Sequence, residues 1–254
     1  MEKFPAVILA GGAFRQRFFW REKTPKCFKE VGGAPLVAYA VAAARHSPLV
    51  NSVTLVAELN ECLLGKNCFR QFVDRFVEPG ATIIGSMRAG SKNLGPDEPT
   101  LYLCGDMPKV TAEMVTRVVE VCQRKPEADA WYIYCSQANA SRAMPAFPHT
   151  YAQLAEGTFC GTGVGILRPK VLASPIIGAL EESRKSVLGL LGQLGSNFVF
   201  RYFFGPKPTL GELEARMSEI FGYRFIGLEA LDGELTIDID TPKKLELVQL
   251  APAS

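Results

Sequence analysis

The apolar positions fall first into a short unbroken block, Phe4-Pro5-Ala6-Val7-Ile8-Leu9, closed by Ala10-Gly11-Gly12. An uncharged run ended by paired glycines predicts a strand buried on both faces that runs into a turn. Helical spacing follows at 36–45, with Pro35 at its start and Ser47-Pro48 as its stop. Further apolar or β-branched blocks predict strands at 52–56, 75–77, 100–104 and 130–135. Helical patterns lie between them at 60–65, 84–94 and 112–124, the last capped by Thr111 with Glu113 in its first turn. Strands alternating with helices at this pitch imply βαβ units and a largely parallel sheet.

The second half is less regular. Residues 136–163 are rich in Ala, Pro, Ser, Gly and Thr and lack a period, which reads as an excursion carrying a hairpin near 151–158. Helices are predicted at 183–195 and 209–221, the second opened by a Thr209-x-x-Glu212 capping box. Residues 198–204 are almost wholly aromatic or apolar, and are expected as a helix or strand packed in the core. Leu235, Ile237 and Ile239 alternate with Glu234, Thr236, Asp238 and Asp240. That period of two predicts a strand with both aspartates opposite its apolar face. Thr241-Pro242 then opens a closing helix, Thr as cap and Pro at the first position.

A chain of 254 residues can bury a large core as one α/β domain. No linker divides residues 1–254, and 183–222 reads as a helical elaboration of that single domain. The net charge of +2 excludes a general attraction to nucleic acid or to an anionic membrane. No apolar run approaches a membrane span, and a cytoplasmic location is expected. Seven cysteines without C-x-x-C pairing argue for a reducing compartment and against a zinc or disulfide framework. Only His46 and His149 are present, so a histidine metal site or a Ser-His-Asp triad has little material.

The basic residues that do occur cluster after the glycine turn: Arg15, Arg17, Arg21, Lys23 and Lys26. Glycines let backbone N–H groups approach phosphates closely, and fixed cations balance their charge. Asp106, in Gly105-Asp106-Met107-Pro108, follows a buried strand, where open α/β sheets gather ligands. A carboxylate there suits Mg²⁺, which takes one or two carboxylates beside phosphate oxygens and water. The alternative is a turn aspartate bonding its own backbone, over which the strand context favours the metal role. Asp238 and Asp240 are the natural second source of carboxylate, although one of them could instead cap the last helix.

Together, Leu9-Ala10-Gly11-Gly12, Arg15 or Arg17, Pro25-Lys26 and Gly33-Ala34-Pro35-Leu36 resemble the L-A-G-G, R, P-K and G-x-P-L signature of the MobA-like nucleotidyltransferases. Phe14 stands where the usual motif has a further glycine. Gly105-Asp106-Met107-Pro108 is similar to that superfamily's G-D-x-P metal motif, and Asp238-Ile239-Asp240-Thr241-Pro242 to the D-I-D-T-P of its cytidylyltransferase branch. Residues 157–163 with Arg184-Lys185-Ser186 resemble a bacterial branch from which the acceptor does not carry over.

The resemblance implies a three-layer α/β/α Rossmann-like fold with a mostly parallel mixed sheet, as in nucleotide-diphospho-sugar transferases. It implies a nucleotide-binding half at 1–135 and an acceptor-binding half at 136–254. The activity implied is Mg²⁺-dependent transfer of a nucleotide from an NTP, GTP or CTP, to a small phosphorylated acceptor such as molybdopterin or a sugar phosphate, by a monomer or homodimer. Lys26, Arg17 and Asp106 would be catalytic. Leu9, Ala10, Gly11, Gly12, Arg15, Pro79, Gly80, Gly85 and Ser86 would hold the nucleotide, with Arg88 a further candidate. Gly161, Thr162, Gly163 and Lys185 would meet the acceptor, Arg142 and Arg201 being further cations available to it. Asp106, Asp238 and Asp240 would bind the metal. Substituting Lys26 or Asp106 is expected to abolish activity with little effect on folding. A nucleotide-sugar glycosyltransferase would share the sheet and the metal aspartate, and a nucleotide-binding regulator without turnover is the non-enzymatic alternative. The dehydrogenase and P-loop signatures are absent from the sequence.

Overall fold

The structure is a computed structural model describing residues 1–11, 25–58, 68–174, 177 and 194–250. The expected helix at 60–65 and most of that at 183–195 lie outside the described residues.

The opening strand β1 (Phe4–Leu9) is buried on both faces as its composition requires: Ala6 and Ile8 enter one layer, Val7 and Leu9 the other. A small hairpin of β2 (Glu30–Val31) and β3 (Ala34–Pro35) turns through Gly32 and Gly33, both at positive φ (59° and 83°). Two consecutive left-handed residues make the tight turn that matches strand twist, which explains the paired glycines there. Helix α1 (Leu36–His46) follows directly, then β4 (Val50–Val56), β5 (Arg75–Val77) and α2 (Ile83–Ser91), the last capped by the Thr82 side chain. Next come β6 (Thr100–Cys104), α3 (Ala112–Gln123), capped by Thr111 as expected, and β7 (Ala130–Ser136).

The 136–163 stretch is more ordered than its composition suggests. It holds α4 (Gln137–Ala143), β8 (Ala152–Leu154) and most of the long β9 (Gly157–Leu167). Strands β8 and β9 form the expected hairpin, but β9 then runs on between β6 and β7, antiparallel to both. Its glycines lower β propensity, and pairing on two sides overrides that. The chain continues through α5 (Pro169–Leu172), α6 (Ser196–Phe204), α7 (Leu210–Phe221), β10 (Phe225–Glu229) and α8 (Pro242–Leu250). Thr209 and Glu212 form the capping box at α7.

Among the described residues the main sheet has eight strands, seven of them in the order β10-β7-β9-β6-β1-β4-β5, with β8 added beside β9. All pairings are parallel except those of β9. One face carries α1 and α3 through Val37, Val41, Val115 and Val119; the other carries α2, α5 and α7 through Met87, Leu172 and Phe221. This is the three-layer α/β/α arrangement with a mostly parallel mixed sheet. Strands from both halves of the chain share the sheet, and β1 sits where the strand order reverses.

Two expectations fail. The 198–204 segment is helical, but Phe200, Phe203 and Phe204 are exposed and pack on one another, centroids 5.8 and 6.2 Å apart, rather than in the core. The 235–239 segment is not a strand. Gly233–Thr236 makes a 3₁₀ turn, the Thr236 hydroxyl donating to the carbonyl of Gly233 at 2.6 Å. The apolar set is nonetheless buried, Leu235, Ile237 and Ile239 each about fully, and Thr236 is buried with them.

Candidate active site

Where a parallel sheet reverses its strand order, the carboxyl ends of neighbouring strands splay and leave a crevice. Here these strands are β1 and β6, paired in register from Ala6–Leu101 to Leu9–Cys104. Gly105 N–H donates to the Leu9 carbonyl at 2.9 Å, and a Cβ on Gly105 would stand 3.0 Å from that of Ala10. Glycine lets the turn carrying Asp106 lie this close to the end of β1 without crowding.

The glycine turn meets a second loop. A Cβ on Gly11 would come within 2.6 Å of the Pro79 Cβ. One on Gly80 would strike the backbone of Gly85 at 2.4 Å. The buried Ser86 hydroxyl accepts from the Gly80 N–H at 3.1 Å, and Thr82 accepts from Gly85 N–H at 3.0 Å. Leu9, Ala10, Gly11, Pro79, Gly80, Gly85 and Ser86 thus form one wall beside the end of β1. Gly12, Arg15, Arg17 and Lys185 lie outside the described residues.

Lys26 reaches this wall's edge from a 3₁₀ turn, Lys26–Phe28, pinned by buried Cys27 and Phe28. Its ammonium forms an ion pair and hydrogen bond with Asp106 Oδ2, their side chains 16% and 6% exposed. Burial works against the Lys26 charge, yet the Asp106 carboxylate outweighs it and holds the pKa above its ordinary value. On Asp106, burial pushes the pKa up and Asp238 adds to the push, while Lys26 opposes both. The ammonium–carboxylate contact keeps the pair charged, so the direction that stands is that of Lys26.

The tail of the chain closes the cluster. Ile239 N–H donates to the Asp106 carbonyl at 2.9 Å, which holds residues 238–240 against the mid-chain turn. Lys244, in the first turn of α8, bonds Asp238 Oδ1 at 3.0 Å and lies 3.2 Å from Asp240 Oδ1. That second approach lacks hydrogen-bond alignment, and Asp240 Oδ1 is buried without a hydrogen-bond partner. Among the described residues no group of three potential ligands is clustered as a closed metal cage. The Asp106 and Asp238 carboxylates with the orphaned Asp240 oxygen form an open set that would suit Mg²⁺, whose remaining positions are filled by phosphate and water.

On the other side, Gly163 of β9 packs on Met107, where a Cβ would stand 2.4 Å from Sδ. Gly161 lies under the exposed Tyr132, 2.5 Å from such a Cβ to Oη. The Thr162 hydroxyl is engaged by the backbone: it lies 2.9 Å from the Ile133 carbonyl and accepts from Val164 N–H at 3.3 Å, fixing the irregular register of β9 against β7. Two other candidates are tied into the scaffold. Arg88 donates twice to the Leu172 carbonyl, at 2.8 and 2.6 Å, and Arg201 pairs with Glu212 at 2.6 Å. Both therefore brace helix ends. Arg142 lies in the last turn of the exposed α4. Sequence reasoning passed over Lys244, although its spacing of four from Asp240 at a helix start was visible. It passed over His149 too, whose ring touches the Phe147 carbonyl at 2.9 Å and Thr236 Oγ1 at 2.7 Å.

The sequence model of the MobA-like NTP transferase domain matches residues 6–187, well over half of the chain. The chain belongs to that family. It is, by family, a nucleotidyltransferase. The fold is shared with a hypothetical transferase from Thermus thermophilus, 23% identical over 95% of this chain and 99% of that one, with a TM-score of 0.77. It is shared also with a CMP:2-keto-3-deoxy-manno-octonic acid synthetase complexed with CTP, at 15% identity, 98% and 97% coverage and a TM-score of 0.59. A 4-diphosphocytidyl-2C-methyl-D-erythritol synthase from Anaerococcus prevotii matches at 13% identity, with the same coverage and a TM-score of 0.56. No curated protein sequence matches the chain. Among the described residues no helix is long and apolar enough to cross a membrane.

Proposed function

We propose that this MobA-like NTP transferase moves a nucleotide from an NTP, GTP or CTP, to a small phosphorylated acceptor and releases pyrophosphate with the help of Mg²⁺. The observation that carries the reading is the meeting of three distant segments: Lys26 on Asp106, and Asp106 on Ile239. An oxygen of the acceptor phosphate attacks the α-phosphorus in line. As the new P–O bond forms, the bond to the bridging oxygen breaks and its electron pair leaves on pyrophosphate. A phosphate is already ionised at neutral pH, so no side-chain base is needed, and catalysis rests on positioning and charge.

Lys26 stays charged because of Asp106 and is the counter-charge for the β- and γ-phosphates, together with Arg15 or Arg17. Backbone N–H groups of Gly11 and Gly12 approach the phosphates. Leu9, Ala10 and the wall from Pro79 and Gly80 to Gly85 and Ser86 read the base. Asp106, Asp238 and Asp240 would hold Mg²⁺, which supplies charge neutralisation and orientation at the α-phosphate. The acceptor would lie beside the Gly161–Gly163 stretch of β9, over which Tyr132 and Met107 are seated, and Lys185 would meet its phosphate. Pyrophosphate release from each of four NTPs, with Mg²⁺ and a panel of phosphorylated acceptors, tests the reading. Acceptor-dependent release with one NTP supports it. Hydrolysis of sugar nucleotides instead would favour a glycosyltransferase, and nucleotide binding without turnover a regulator.

A further inference from the structure

Lys244 occupies an unusual place for a lysine on a first helical turn. Its side chain is 12% exposed, and its ammonium lies 4.9 Å from the centre of the Phe147 ring. Phe147 is itself buried, braced by the His149 ring at 5.2 Å, and His149 is tied to Thr236. The aromatic wall fixes the ammonium from one side, and the two acids fix it from the other. At 3.0 Å from Asp238 and 3.2 Å from Asp240, it touches one oxygen of each. A solvated surface pair would show neither this burial nor one cation shared by two carboxylates.

We propose that Lys244 is a positioning residue, a tethered counter-ion that stands in the divalent cation's place while the nucleotide is absent. It holds Asp238 and Asp240 convergent, so that the acids are already gathered when Mg²⁺ arrives. It also keeps free dications out, because its charge repels them and one of its N–H groups occupies a lone pair of Asp238 Oδ1. The negative phosphates of a bound nucleotide would draw the Lys244 ammonium off the acids and leave them open to the cation. This rests on the reading above that Asp238 and Asp240 serve as metal ligands.

The test is a titration of the full chain with Mn²⁺, an oxygen-seeking stand-in for Mg²⁺ whose free ion is counted by electron paramagnetic resonance. Without nucleotide, Lys244→Met is expected to bind Mn²⁺ at least ten-fold more tightly than wild type. Lys244→Arg should behave as wild type, and Asp238→Asn with Lys244→Met should lose the gain. Equal or weaker Mn²⁺ binding by a folded Lys244→Met would overturn the proposal. Should that variant not fold, the wild type decides: Mn²⁺ alone is expected to leave its melting temperature unchanged, and Mn²⁺ with a non-hydrolysable NTP to raise it. A rise with Mn²⁺ alone equal to that with both would overturn the proposal. Wild-type pyrophosphate release is read separately. If it is absent while Lys244→Met binds Mn²⁺ tightly, the transfer reading falls and the counter-ion role stands.

Discussion

A buried ion pair behaves differently from its members. Because Asp106 is almost fully enclosed and Lys26 nearly so, removing one side chain leaves the other's charge buried and uncompensated. Lys26→Met or Asp106→Asn is expected to cut kcat/KM by at least about 100-fold, as loss of charge stabilisation does. Lys26→Met is expected in addition to destabilise the fold by about 3 kcal/mol, which revises the expectation of little change in folding. A Lys26→Met/Asp106→Leu double variant should recover most of that stability and none of the activity, as urea unfolding beside the pyrophosphate assay would show. His149 makes a pH prediction. Burial lowers its pKa, Lys244 adds to the effect, and Asp238 opposes it. The unfolded chain therefore takes up its proton first as pH falls, at about 6.5. Stability is complete above that value and declines on acidification until the folded ring protonates. His149→Gln should flatten this decline, measured as urea midpoints between pH 7.5 and pH 5.5.

At the scale of elements, Gly161 and Gly163 of β9 separate by what stands over them. Gly161 faces the far end of an exposed tyrosine that can swing away, whereas Gly163 faces fully buried Met107, next in sequence to Asp106. Gly161→Ala is expected to change stability by less than about 0.5 kcal/mol. Gly163→Ala should cost about 1–3 kcal/mol by overpacking and lower turnover through Asp106; thermal melts and kinetics of the two variants check the contrast. The same strand shows why parts of the fold were hidden in the sequence. Strands β1, β4 and β6 and helices α1 and α3 carry their period in their own side chains. Strand β9 is made by its neighbours β6 and β7, and four glycines conceal it. The 235–239 segment hid for the opposite reason: its apolar residues are buried as their pattern suggests, but its backbone N–H groups donate to Asp232, Glu234 and Asp106 rather than to a strand. The aromatic run of α6 read as core because composition alone does not tell an exposed apolar face from a covered one.

For the whole molecule, the reversal of strand order at β1 is what turns three separated motifs into one place. Gly11, Asp106 and Ile239 are separated by 95 and then 133 positions, yet backbone hydrogen bonds run from Gly105 to Leu9 and from Ile239 to Asp106. The motifs were legible singly, as glycines and acids at strand ends. Their meeting was legible only through the family resemblance, since topology is not written in local spacing. Lys244 was missed because a lysine at a helix start is ordinarily solvated, and its burial depends on Phe147, nearly a hundred residues away. Lys26, Asp106 and residues 238–240 are proposed to act as one nucleotidyl-transfer centre. That role is tested most directly by acceptor-dependent pyrophosphate release from GTP or CTP with Mg²⁺, in wild type and in folded Asp106→Asn. One nucleotide–acceptor product per pyrophosphate is expected in the wild type and at least about a 100-fold loss in the variant; near-wild-type turnover by the folded variant would refute the shared centre.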